Sequence, residues 1–182
     1  LLNEANDGLI ALSGAHDGEI GQLLLKDKTA QAQSALQQWR AAFNNRFYLE
    51  VQRLDTPESE AQTLLAAQLA AQTHTPLVAT HAIQFLNAED HRAHEARVCV
   101  ARGDILANPR RQNAFEPCQY LLTQAEMQAR FADLPSALAN SVAIAQQCNL
   151  SLELGINRLP DFPTPNGESL DEYLRIVSRR GL

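Results

Sequence analysis

Gly8-Leu9-Ile10-Ala11-Leu12-Ser13, closed by Gly14, is the stretch on which the fold turns. A short apolar run between glycines reads as a buried strand over residues 8–13 that ends in a turn. The pattern returns twice. Phe47-Tyr48-Leu49-Glu50-Val51-Gln52 is rich in aromatic and branched residues, and Pro76-Leu77-Val78-Ala79-Thr80 is again short and apolar. Helical patterns separate these runs. A helix is expected from about Lys28 to Ala42, with Leu36, Trp39 and Phe43 on one face at three- and four-residue steps. Thr56-Pro57 supplies an N-cap and a proline at the first helical position, opening a helix with Leu64, Leu65 and Leu69 that runs to about Gln72. Alternating strands and helices call for parallel pairing, and a parallel sheet wants both faces covered.

After the third strand the pattern becomes helical. His81 to Leu86 is a loop, and Asn87 caps a helix from Ala88 to Ala101 that Gly103 stops. Asp104 to Pro117 holds two prolines and little periodicity, so it is a long excursion that is functional or packs on a neighbour. Thr123-Gln124-Ala125-Glu126 and Ser169-Leu170-Asp171-Glu172 are capping boxes. Pro135 opens a helix with Leu138, Val142 and Ala145 on one side, ending near Asn149. Leu159 to Pro165 holds three prolines and is expected to be extended, and the final helix closes with Arg179, Arg180 and Gly181.

The 182 residues include 28 Ala and 27 Leu but only 5% aromatics, a mixture suited to helices packed through small and branched side chains. Disorder, a collagen-like chain and a disulfide miniprotein are excluded, and no run approaches the ~20 apolar residues of a membrane span. The chain starts Leu1-Leu2-Asn3 without Met and reads as a segment that begins inside a longer protein. Its net charge is −6, and its densest basic runs, Arg110-Arg111 and Arg179-Arg180, are two residues long. Strong direct DNA binding by this segment is not expected. Cys99, Cys118 and Cys148 show no ligand spacing and read as reduced thiols of a cytosolic, cytoplasmic protein.

Two places could carry chemistry. Glu89-Asp90-His91-Arg92-Ala93-His94-Glu95 sets His91 and His94 on one helical face, where imidazoles can ligate zinc. A capped helix start explains the same acids, and no third ligand is dictated. The loops after the strands are the other place, because chemistry in parallel sheets gathers at strand ends. There Gly14-Ala15-His16-Asp17 and His81-Ala82-Ile83-Gln84 bring His16, Asp17 and His81 within reach of one another, whereas His74 reads as a helix-end residue. Phosphate loops, a GxSxG elbow and CxxC pairs are absent.

Further motifs occur in order: Ala93-His94-Glu95, Phe131-Ala132-Asp133-Leu134-Pro135, Ala137-Leu138-Ala139-Asn140-Ser141, Ala145-Gln146-Gln147-Cys148-Asn149 and Leu159-Pro160-Asp161-Phe162-Pro163. With the three strand runs, they make the chain resemble the amino-terminal region of the bacterial DNA polymerase III alpha subunit family. The resemblance covers the later part of its PHP (polymerase and histidinol phosphatase) domain and the connection towards the palm. It implies an α/β fold: a partial, distorted (β/α) barrel with parallel strands over residues 1–120, then a mainly helical connector over 121–182. Some relatives bind metals at the strand ends and carry a 3′–5′ exonuclease-like activity. The ligands implied for this half are a Cys after the Leu-Ser-Gly turn and an Asp-x-His pair after the third strand. Ala15, Ala82 and Gln84 stand there instead, and His16 and His81 sit one residue off. The expectation is a degenerate PHP region with no catalytic, cofactor or metal residues, alongside a magnesium-dependent palm. Expected partners are the palm and remaining domains of the parent chain and the proofreading exonuclease subunit. Little direct DNA contact and no membrane contact are expected. The isolated segment is expected to expose strand edges and an apolar sheet face, and to self-associate or rearrange. The rival readings are an active PHP-type phosphoesterase or proofreading exonuclease, and a free-standing helical adaptor.

Overall fold

A computed structural model of the chain describes residues 6–108, 110–111, 113–156 and 162–181. Two compact units emerge, 1–148 and 149–182. In the first, β1 (Ala11–Leu12), β2 (Phe47–Val51) and β3 (Leu77–Ala79) form a parallel sheet in the order β1-β2-β3. The helices are α1 (Glu19–Leu25), α2 (Thr29–Phe43), α3 (Pro57–Thr73), α4 (His91–Arg102), α5 (Gln124–Arg130) and α6 (Pro135–Gln147). Among the described residues the three strands do not close into a barrel. The expected α/β class and parallel pairing are present. Residues 159–161 of the expected extended segment lie outside the described residues.

The first strand is shorter than the 8–13 expected. Gly8 takes a left-handed φ of +74°, and the Leu9 carbonyl accepts from the Arg46 guanidinium (3.2 Å) rather than from a strand. At the other end the Ser13 N–H still donates to the Tyr48 carbonyl (3.1 Å), but the Glu50 N–H donates to the Ser13 hydroxyl (2.9 Å), so a side chain takes the last ladder position. Leu9 and Leu12 remain exposed. Helix α1 was not expected, because Gly18 and Gly21 hide its periodicity. Both glycines are required by proximity: a Cβ at Gly18 would lie 1.8 Å from the Ser13 carbonyl, and one at Gly21 1.9 Å from that of Ala15.

Core packing follows the apolar stripes. Leu36 and Phe43 of α2 are buried, and Trp39 stacks on Phe43 and Phe47 with centroids 5.9 Å apart in each case. Central β2 buries Phe47, Leu49 and Val51. Thr56 caps α3 by accepting from the Ser59 N–H (3.2 Å). The buried face of α3 is partly polar, and Leu64 is exposed. Gln62 Nε2 donates to the Glu50 carbonyl (3.3 Å) and the Thr63 hydroxyl to that of Gln52 (3.2 Å), so this face satisfies the end of β2.

Of the side of α6 expected to face inward, only Leu138 packs against the core. Val142 and Ala145 are exposed, while Ala137, Asn140 and Ser141 face β3. Asn140 Nδ2 donates to the Leu77 carbonyl (2.7 Å) and the Ser141 hydroxyl to that of Ala79 (2.5 Å). These carbonyls alternate with those that pair with β2, so α6 covers the outer edge of β3. That edge was expected to be open. In the second unit, α7 (Leu170–Gly181) starts with the Glu172 N–H donating to Ser169 Oγ (3.3 Å), and Phe162 lies against Tyr173.

Two side-chain arrangements knit the sheet's carboxyl end. Glu50 is 8% exposed, and its carboxylate accepts from the Gly14 N–H (3.0 Å), the Thr80 hydroxyl and Gln52 Nε2 (3.2 Å). It thereby ties the ends of all three strands. Beside it, two arginines exchange contacts. Arg53 forks onto Asp133 (2.7 and 2.8 Å), pairs with Glu60 and donates to the Arg130 carbonyl. Arg130 forks onto Asp55 (2.8 and 3.2 Å) and donates to the Arg53 carbonyl (2.7 Å). The Arg53 guanidinium also lies 5.3 Å from the centroid of the fully buried Phe131 ring.

Glu50→Leu strands three donors and is expected to cost about 2–3 kcal/mol in urea unfolding, with Glu50→Gln between it and wild type. A double-mutant cycle of Arg53→Ala and Arg130→Ala should return a coupling of about 1 kcal/mol. The Thr123 hydroxyl, its N–H and the Tyr120 hydroxyl hold the Glu126 carboxyl down to about 2. A lowered folded value stabilises above the unfolded carboxylate range, and the gain is lost as pH falls through about 2. The stability gap between wild type and Glu126→Gln should therefore be full at pH 6 and shrink as pH falls towards 2.

Candidate functional site

The three strands end on the same side, and the loops that leave them frame a cleft of about 380 Å³. Its β1 side is the turn 13–18, bent by left-handed backbone at Gly14 (φ +80°) and Ala15 (φ +46°). Its β2 side is Gln52, Leu54 and Thr56, and its β3 side is Ala82 and Gln84. The far wall is Ala114 to Gln119, from the excursion that follows α4. That excursion folds back over the sheet end. Gln119 Nε2 donates to the Ala82 carbonyl (2.9 Å), the Gln84 N–H donates to that of Gln119 (2.8 Å), and Phe85 bridges to Tyr120.

His16 and Asp17 both line this cleft, as their positions after β1 suggested. His16 Nε2 lies 3.5 Å from the exposed Asp17 carboxylate, and its Nδ1 is buried without a partner. His81 does not join them. Its Nε2 donates to the Cys118 carbonyl (2.9 Å), since a carbonyl can only accept. Burial, aided by nearby Arg130, pushes the His81 ring below the ordinary imidazole value, so it is neutral. Glu58 and Glu116 add carboxylates to the rim, and Gln52, Gln84 and Gln119 add amides. Among the described residues, no three of His, Cys, Asp and Glu gather closely enough to hold an ion. Ala15 and Ala82 offer only methyl groups, and Ala15 is 1% exposed. This donor set does not fit a bound metal.

The α4 cluster serves structure. Asn87 and Asp90 form a capping box on a 3-10 turn, Ala88–Asp90, and α4 proper starts at His91. His91 Nε2 donates to the Phe115 carbonyl (3.1 Å), while His94 meets Arg97. Glu95, 2% exposed, pairs with Arg111 and accepts from the Ala114 N–H. Burial pushes its carboxyl up, but Arg111 and Ala114 outweigh that and hold it below the usual range. His74 takes the left-handed C-cap position of α3 (φ +51°). Burial raises the Cys118 thiol to about 11, with Asp55 adding to the effect, so it is not a thiolate nucleophile.

The residues missed from sequence are those whose partners are remote. Glu50 stood within a recognised strand, and its one available signal was an acid flanked by Leu49 and Val51. Gln119 and Glu116 carried no signal beyond the length of their excursion.

Comparison with known proteins agrees with this geometry. The family model described as PHP domain matches residues 1–54. Relatives called DNA polymerase III subunit alpha align along the whole chain: 48% identity over 181 residues in Pseudomonas aeruginosa, 48% over 183 in Neisseria meningitidis and 41% over 181 in Vibrio cholerae. The chain spans only 15–16% of the length of these relatives. A parallel α/β sheet that does not close, a match to the PHP domain at its start and full-length alignment converge: the chain corresponds to a segment of the bacterial DNA polymerase III alpha subunit family that includes part of the PHP domain.

Proposed function

We propose that this chain is a supporting, metal-free PHP region within a template-directed DNA polymerase. Chemistry in the whole protein would be metal-assisted nucleotidyl transfer in the palm, with magnesium supplied there. Residues 1–120 would form the later part of the PHP domain, and the helices of 121–182 would carry the chain towards the palm. The observation that carries this reading is the strand-end cleft. Beside it, Glu50 is satisfied by three neutral donors of the protein, and His81 is turned to the Cys118 carbonyl. At the positions where the resemblance puts ligands stand Ala15, Ala82 and Gln84. Such a site supports strand geometry and, among the described residues, gathers no set of side chains for an ion.

The surface would serve protein contacts, with the proofreading exonuclease subunit as the docking partner. A net charge of −6 suits a protein-facing scaffold better than a DNA-gripping one.

Metal analysis of the full-length protein tests the reading. Dialysed protein should hold no stoichiometric zinc, and His16→Ala and His81→Ala should leave metal content unchanged. Stoichiometric zinc that is lost, together with a 3′–5′ exonuclease activity, on either substitution would sink the supporting role in favour of an active PHP enzyme. Thiol labelling gives an independent check of site chemistry. With iodoacetamide at pH 8, exposed Cys148 should react promptly, whereas Cys118 and buried Cys99 should react only on unfolding.

A further inference from the structure

The second unit has no core of its own. Among the described residues of 149–182 none is buried, and only Thr164, Glu168 and Tyr173 are half-buried. Single exposed leucines are ordinary, but here they recur in a pattern. In Asn149-Leu150-Ser151-Leu152-Glu153-Leu154 every second residue is a leucine, and these are 83%, 72% and 86% exposed. On a helix, side chains two positions apart point roughly 200° from one another, so no helix gathers the three. Extended backbone puts all three on one face, with Ser151 and Glu153 on the other.

The flanking backbone suits that shape. Helix α6 ends at Gln147, and Cys148 already takes an extended conformation (φ −78°, ψ +97°). The stretch closes at Gly155, whose left-handed φ of +80° turns the chain. Between them lies the length of an ordinary strand. Yet among the described residues 150–154 pairs with no strand. An amphipathic strand is thus presented without the sheet that would bury its apolar face. Helix α7 repeats the deficit: Leu170, Leu174 and Val177, at steps of four and three, are all exposed.

Scale and chain order indicate what covers this face. The relatives align with this chain along its whole length, yet it spans only 15–16% of theirs. Most of such a protein lies outside the segment, and elements consecutive in sequence usually pack together. A neighbour on the same chain also acts at a high effective concentration, which favours it over a second copy. We propose that residues 150–154 are an edge β-strand added to a sheet of the palm of the proposed polymerase, with the three leucines buried against that domain. This rests on the chain's proposed place in a polymerase. Main-chain N–H and C=O groups of alternate residues would make the ladder, and the leucines would set its register.

The test measures amide hydrogen exchange at residue resolution, by electron-transfer fragmentation, in the full-length protein and in the 182-residue chain. In the full-length protein one alternate set, either Leu150, Leu152 and Leu154 or Ser151 and Glu153, should exchange about tenfold or more slowly than in the 182-residue chain. The other set should exchange alike in both. Leu152→Glu should abolish that protection while α2 and β2 keep theirs, and Leu152→Ile should retain it. Neither substitution should move the urea midpoint of the 182-residue chain, where the side chain is exposed. Equal exchange of 150–154 in both proteins overturns the proposal, and so does unbroken protection from 150 to 154. Protection that appears in the 182-residue chain as its concentration rises also overturns it, because the occupant is then a second copy. A reading frame that stops soon after Leu182 removes the palm and sinks the polymerase reading as well, whereas unprotected leucines in an intact polymerase sink the strand alone.

Discussion

The buried carboxylate of Glu50 is the constraint on which the rest depends. It sits on the central strand, is nearly excluded from water and, among the described residues, forms no ion pair. Such a charge is tolerable inside a protein only when neutral donors converge on it with good geometry. Those donors come from the turn after β1, from β2 itself and from the end of β3. Each strand must therefore stop where it does. The backbone of Gly14 and Ala15 has to enter left-handed space, and Gly18 and Gly21 must lack side chains for α1 to close over that turn. The carboxyl end of the sheet is the hydrogen-bonded knot that holds a small parallel sheet together.

A three-stranded sheet is narrow, and its other weakness is its edges. On β3 the solution is a helix whose contact face is small and polar. Ala137 allows close approach, and Asn140 and Ser141 supply the donors that another strand would have provided. On the β2 side, Gln62 and Thr63 of α3 play the same part for carbonyls at the strand end. Polar residues on buried helix faces are thus what makes a short sheet self-sufficient there.

This also explains what could be read from sequence. β2 and β3 were legible because short apolar runs in a parallel sheet announce themselves. The caps at Thr56 and Thr123 were legible because their partners lie three residues away. The face of α6 was misjudged because hydrophobicity points to Val142, whereas hydrogen-bond demand at β3 selects Ser141. β1 was overextended because its apolar letters conceal a turn at Gly8 and a carbonyl taken by Arg46. Within the candidate site, His16 and Asp17 were placed correctly, but the direction of His81 depends on Cys118, 37 residues away. No local pattern encodes such a contact.

The exchange between Arg53 and Arg130 has a consequence in time as well as in space. Its contacts link residues 75 to 80 positions apart. A ribosome adding roughly 5–20 residues per second needs about 4–16 s to cover that interval. Throughout it β2 and α3 can assemble with β1, α1 and α2, but Arg53 has neither Asp133 nor the Phe131 ring to meet. The sheet's carboxyl end thus matures later than the rest of the sheet, once the segment that carries Arg130, Phe131 and Asp133 has been made.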